Sequence, residues 1–218
     1  MKLKNKIFQI SCDGGAATGK STGAKMIANK YNLKFLSSGL LYRYASYLLI
    51  KSKPKNKVLF LKKKFKSLNY SNLKRIKLHT PEVSKKSALI AKNYSIRKIL
   101  KKFQVQFSKK YKRCCIEGRD ISTHILPKSD VKFFFKCELK IAASRRFKDL
   151  KKTNPKIKII DVKKALRLRN ILDTKRKISP LQRHLDSISI DTGKLNKQAM
   201  VKKMSKYVDK AIKIKYGN

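Results

Sequence analysis

The stretch CDGGAATGKST, residues 12–22, restricts this chain to very few folds. It contains the pattern G-x-x-x-x-G-K-[ST] as Gly14, Gly19, Lys20 and Ser21, after the apolar run KIFQISC (6–12) and before a helical pattern at 20–31. Glycines at these positions let the backbone turn tightly, so that successive N–H groups face one anion while the helix N-terminus adds its dipole. Such a loop needs a strand to deliver it and a helix to receive it. Gly14, Gly15, Ala16, Ala17, Thr18, Gly19, Lys20, Ser21 and Thr22 are therefore the expected cradle for the phosphates of a nucleoside triphosphate, with Lys20 reaching the β- and γ-phosphates. The Ser21 hydroxyl is expected to ligate Mg2+, and Asp13, just ahead of the loop, is a second candidate for the metal. The competing reading is a glycine-rich turn that binds nothing; spacing, lysine, serine and flanking pattern together oppose it.

Four more runs resemble strands: KFL (34–36), RCCIEG (113–118), VKFFFKC (131–137) and SISIDT (187–192). They are short and continuously apolar, as strands buried on both faces of a parallel sheet should be. Helical periodicity separates them at 39–50, 83–91, 95–110, 138–152, 161–172 and 195–214; in the last, Leu195, Met200, Met204, Val208 and Ile212 recur at helix spacing. This alternation predicts a doubly wound α/β domain. Two stretches interrupt it: residues 51–79, an acid-free and partly helical insertion, and the arginine-bearing excursion 151–180.

The net charge of +46 invites a nucleic-acid reading, because clustered cations neutralise phosphates. Yet lysine is spread over the whole length and no basic tail or stripe emerges. Charge alone supports statements about solubility and non-specific binding, so a solvated lysine surface is expected, with no dedicated nucleic-acid site. No run approaches the ~18 apolar residues of a membrane span, and the N-terminal residues read as an opening strand, not a signal peptide, so a cytoplasmic protein is expected. Cys12, Cys114, Cys115 and Cys137 all fall in strand-like runs without metal spacing and are expected as buried, reduced thiols; His79, His124 and His184 are too scattered to form a ligand set.

The acids are few enough to be informative. Only twelve occur, none between Asp13 and Glu82, yet EGRD (117–120) places Glu117, Arg119 and Asp120 at the carboxyl end of a strand, where open α/β sheets bind ligands. In RLRNILDTKR, Arg169, Asp173 and Arg176 share one helix face. That face is either a solvated ion-pair surface or a lid that brings arginines onto transferring phosphates. SSGLLYR (37–43) places Ser38, Gly39 and Arg43 at a helix start, suited either to a cap or to a phosphate contact.

Taken in order, DGGAATGKST (13–22), SSGLLYR (37–43), HTPEVS (79–84), EGRDIST (117–123), RNILDTKR (169–176), SPL (179–181) and SIDTGKL (189–195) make the chain similar to bacterial cytidylate kinases over nearly its whole length. That resemblance implies a P-loop NTPase three-layer core with a parallel five-stranded sheet (1–37, 99–150 and 179–218), an inserted NMP-binding segment (38–98) and a helical lid (151–178). It also implies Mg2+-dependent transfer of the γ-phosphate of ATP to CMP or dCMP by a monomer. Ser38, Arg43, Arg97, Arg119, Asp120 and Asp173 would hold the acceptor, and Arg169 and Arg176 would close with the lid over both nucleotides. Lys20, Arg169 and Arg176 would then be the catalytic side chains, with Arg145 and Arg146 near the ATP. Departures from the family pattern are Gly15 and Ala17 for its usual Pro and Gly, His79 for Arg, Asn170 for Asp, and Ala88 for a serine, with Ser87 one position earlier. The segment between Arg43 and Thr80 is also shorter than the family's small β insertion. The alternatives are a kinase for another monophosphate or small molecule, and a basic nucleic-acid-binding protein with a vestigial loop.

Overall fold

The apolar runs become strands; two of them are buried almost throughout, while the other three alternate or leave residues partly exposed. In the computed structural model, which describes residues 6–152 and 154–217, they are β1 (Phe8–Gly14), β2 (Lys34–Ser37), β3 (Arg113–Gly118), β4 (Val131–Lys136) and β5 (Ile188–Asp191). They form one parallel sheet in the order β2-β3-β1-β4-β5. The central strand β1 pairs with β3 on one side and β4 on the other, in a register that sets Cys12 opposite Glu117 and Asp13 opposite Gly118. That register brings the end of β3 level with the start of the phosphate loop.

Helix α1 (Lys20–Lys30) leaves the loop directly, and α8 (Lys197–Tyr216) closes the chain. Ala24, Ile27 and Ala28 of α1 share a buried cluster with Met200, Met204 and Val208 of α8 and with Phe8, Phe133 and Phe135 of the sheet. Each of those phenylalanines is fully buried and contributes roughly 1.5–3 kcal/mol of apolar burial. A smaller cluster joins α6 (Leu139–Lys151) to α7 (Ile159–Thr174) through Ala142, Ala143, Val162 and Leu166, and Ala16 and Ala17 of the loop pack against it.

The chain divides into two compact units, Met1–Leu36 with Tyr111–Asn218, and Ser37–Lys110. The second is helical: α2 (Ser38–Ser52), α3 (Lys57–Lys66), a 3-10 turn (Tyr70–Arg75), α4 (Pro81–Ile90) and α5 (Tyr94–Lys110). Helix α2 packs on α4, and α3 on α5, where the Phe65 ring meets Phe103 edge-on at 6.0 Å. The boundary expected at 98 falls inside α5, a continuous 17-residue helix, and the second unit ends where that helix ends. The stretch expected to form a lid contributes α7 to the first unit, packed on α6.

Cys12, Cys114 and Cys115 are buried strand residues as expected, but Cys137 lies one position beyond β4 and is only half-buried. The strand stops at Lys136 because the chain turns there into α6. Burial pushes the Cys114 thiol up to about 12, with Cys115 adding to the shift.

Candidate nucleotide site

The loop turns as its glycine pattern demands. Gly14 sits at φ +153°, where a Cβ would stand 2.4 Å from the Phe135 carbonyl oxygen, and Gly19 at φ +74° opens α1. Both positions require the missing side chain. Ala17, by contrast, holds φ +58° with a methyl group in place, a conformation L-residues adopt at a cost. Hydrogen bonds within the loop and from elsewhere in the first unit brace it. Thr18 Oγ1 donates to the Gly15 carbonyl at 3.1 Å, Thr192 Oγ1 donates to the Thr18 carbonyl at 2.8 Å, and Arg145 holds Thr192 through two further bonds.

Lys20 is buried, and its ammonium pairs with Glu117 Oε2. Ser21 Oγ donates to the other oxygen of the same carboxylate at 3.1 Å. Glu117, flagged in the sequence only as one of a charged trio, is thus the acid that meets both Lys20 and Ser21. Its 97-residue separation from Lys20 hid that pairing from any local pattern.

Asp13, the second metal candidate, is the penultimate residue of β1 and faces the chain that follows β3. It is fully buried, and its oxygens accept from the Ile121 amide (2.8 Å), the Ser122 amide (2.7 Å) and Ser122 Oγ (2.6 Å). These bonds order a five-residue π-helical turn, Ile121–Ile125, directly after Asp120. Burial pushes the Asp13 carboxyl up from its ordinary value, while the Ser122 and Ile121 bonds pull the other way. Three of its roughly four acceptor positions are taken by backbone and hydroxyl donors, whereas Ser21 and Glu117 are adjacent hard oxygen donors of the kind a hard cation takes.

A cluster of charges gathers at the end of β3 and along α7. Arg119 Nε donates to Asp173 Oδ2 at 2.7 Å, and its Nη1 reaches the Gly14 and Gly15 carbonyls. Asp173 also faces Arg169 Nε at 3.9 Å and Arg176 Nη1 at 3.8 Å, and Arg176 Nη2 lies 3.6 Å from Asp120. Burial raises the Asp173 carboxyl, but Arg119, Arg169 and Arg176 outweigh it and hold the group below its ordinary value. Burial, then the neighbouring Arg119 charge, lowers Arg169 to about 10, and its Nε has no hydrogen-bond partner among the described residues. Three guanidiniums against two carboxylates leave a partly buried excess of positive charge, the arrangement expected where an anion is to be received.

In the second unit, Ser37 caps α2 by accepting from the Leu40 amide, which places Ser38, buried, in the first turn. Arg43 donates to the Leu78 carbonyl (3.2 Å) and to Ser84 Oγ (2.6 Å), and Ser84 belongs to the TPEVS segment. Arg97 is buried, donates to the Ala91 carbonyl at 3.1 Å, and holds its guanidinium 5.8 Å from the centre of the Tyr42 ring. Ser87 is buried and bonded to the Ser84 carbonyl. Ser84, Ser122 and Thr192 contribute hydrogen bonds that no local pattern marks, although each lies inside one of the motif segments. None of the described helices is long and apolar enough to cross a membrane.

The model of the Cytidylate kinase family matches residues 10–210. The chain is 34% identical to the cytidylate kinase of Mesomycoplasma hyopneumoniae over 95% of this chain and 96% of that one. It is 32% identical to that of Bartonella tribocorum, covering 96% and 98%, and 31% identical to that of Clostridium tetani, covering 93% and 94%. Among solved structures it is similar to an uncharacterized protein from Eubacterium ventriosum (TM-score 0.55, 16% identity, 94% of this chain and 99% of that one). It also resembles the shikimate kinase of Acinetobacter baumannii in complex with shikimate (TM-score 0.51, 14% identity, 95% and 96%). At such identities these two likenesses speak to the fold alone.

Proposed function

We propose that this chain, which belongs to the cytidylate kinase family, carries out phosphoryl transfer with the residues described above in defined roles. The reaction moves the γ-phosphate of ATP to CMP or dCMP. The observation that carries the assignment of roles is the meeting of Lys20 and Ser21 on Glu117 beside a partly buried arginine-rich cluster.

The loop amides of residues 14–22 bind the ATP phosphates, and Lys20 leaves Glu117 to follow the charge of the β- and γ-oxygens. Ser21 and Glu117 are the residues that would hold Mg2+, which, when bound, neutralises charge on those oxygens. A phosphate oxygen of the acceptor attacks the γ-phosphorus and ADP leaves; no protein nucleophile takes part. Arg169 and Arg176 supply positive charge where charge develops in the transition state. Ser38, Arg43 and Arg97 of the second unit serve the acceptor's phosphate, because a phosphate dianion accepts more strongly than the carbonyls those arginines now engage. Asp120 and Asp173, with Arg119, serve its base or sugar groups. A cytoplasmic monomer suits this small-molecule chemistry.

The test is a coupled assay with ATP and Mg2+ across CMP, dCMP, UMP, AMP and GMP, run on the natural chain and on Lys20→Ala. CMP and dCMP should lead the panel by at least about tenfold, and Lys20→Ala should lower kcat by roughly 10²–10³-fold, as loss of one preorganised electrostatic donor does. Equal turnover of all five acceptors would overturn the acceptor assignment. Full activity in the lysine variant would overturn the role of the loop.

A further inference from the structure

Two ties join α7 to the phosphate loop, and they differ in kind. One is charged and ends on carbonyls: Asp173 holds Arg119, whose Nη1 reaches the oxygens of Gly14 and Gly15. The other is neutral and ends on an amide, as the Ala16 N–H donates to Asn170 Oδ1 at 3.1 Å. The fit is close, since a Cβ at Gly15 would stand 3.2 Å from that same Asn170 oxygen. A loop of this type grips its ligand through its amides, while its carbonyls point away from the anion. The charged tie is therefore compatible with bound phosphate. The Asn170 tie competes with it.

We propose that Asn170 is a positioning residue whose side-chain oxygen occupies the Ala16 N–H in place of a phosphate oxygen, so that ATP binding displaces it and frees this part of α7 from the loop. The inference rests on the reading that the loop binds ATP. Asn170 adjoins Arg169 and precedes Asp173 by one helical turn, so the residue released is part of the helix that carries the arginine cluster. Asparagine suits the task because a neutral amide oxygen is the weaker acceptor and yields to a phosphate oxygen, whose charge-assisted bond is about twice as strong. A carboxylate, which the family pattern carries at this position, would hold the amide more tightly than a neutral amide oxygen does.

The experiment compares the natural chain with Asn170→Ala and Asn170→Asp. Exchange of the Ala16 amide hydrogen is followed by NMR in the nucleotide-free protein, ATP binding by calorimetry, and kcat and KM for ATP by the coupled assay. Without Asn170 the Ala16 amide should exchange at least about tenfold faster, and ATP should bind roughly two- to tenfold tighter, the equivalent of one net hydrogen bond. KM for ATP should fall with the dissociation constant while kcat changes less. Asn170→Asp should weaken ATP binding below that of the natural chain. A merely structural asparagine would give the opposite sign, with ATP binding weakened in the alanine variant, and that result overturns the inference. Unchanged exchange at Ala16, or equal ATP affinity in the natural chain and the alanine variant, overturns it alone. Failure of the natural chain to bind ATP overturns both it and the reading on which it rests.

Discussion

Replacing Asp173 by asparagine isolates the electrostatic centre of the α7 cluster. The buried carboxylate has one direct hydrogen bond, to Arg119 at 2.7 Å, and two looser charge contacts, to Arg169 and Arg176 at 3.9 and 3.8 Å. Removing one partner of a buried ion pair costs about 3–5 kcal/mol. Because only one contact is within hydrogen-bond range, Asp173→Asn should fall at the lower end, about 3 kcal/mol, or roughly 6–12 °C in Tm for a chain of this size. The effect must depend on pH in one direction. The arginines hold the folded-state carboxyl below its ordinary value of 3.8, so its contribution is complete above that value and is lost as pH falls through the lower folded value. Urea unfolding of the natural chain and the variant at pH 7 and near pH 3, without nucleotide, gives the difference at each. A gap of about 3 kcal/mol at pH 7 that narrows at pH 3 supports the electrostatic account. An equal gap at both values would mean that the loss is one of packing, and would refute it.

Ala17 should be strained. Glycine there releases roughly 1–2 kcal/mol of left-handed strain and adds about 0.5–1 kcal/mol of chain entropy to be lost, so Ala17→Gly should gain roughly 0.5 kcal/mol in urea unfolding while Ala17→Val loses about 1–3. Equal stability of all three would show that the loop imposes no strain. Asp13→Asn should cost about 2–3 kcal/mol, because its amide group would present hydrogens to the Ile121 or Ser122 donors that the carboxylate now accepts. The same variant should speed hydrogen exchange at Ile121 and Ser122, and exchange unchanged from the natural chain would argue against Asp13 as the organiser of that turn.

Short-range pattern determined a large part of this protein. Alternating apolar runs and helical periods marked all five strands and most helices, and the glycine spacing marked the loop, because these signals depend on residues within a few positions of one another. Tertiary structure decided the pairings. Glu117 meets Lys20 because β1 lies between β3 and β4 in a register that sets Cys12 opposite Glu117, and strand order is not written in either strand. Asp13, adjacent to the loop in sequence, turns into the sheet and holds the Ile121–Ile125 turn, since the same register carries it toward β3. Asn170 reaches Ala16 across 154 residues only because α7 folds back against the loop through Ala16, Ala17, Val162 and Leu166. Local sequence set which side chains were present; the packing of distant elements set which charge each would face, because burial makes those few long-range pairings costly to break.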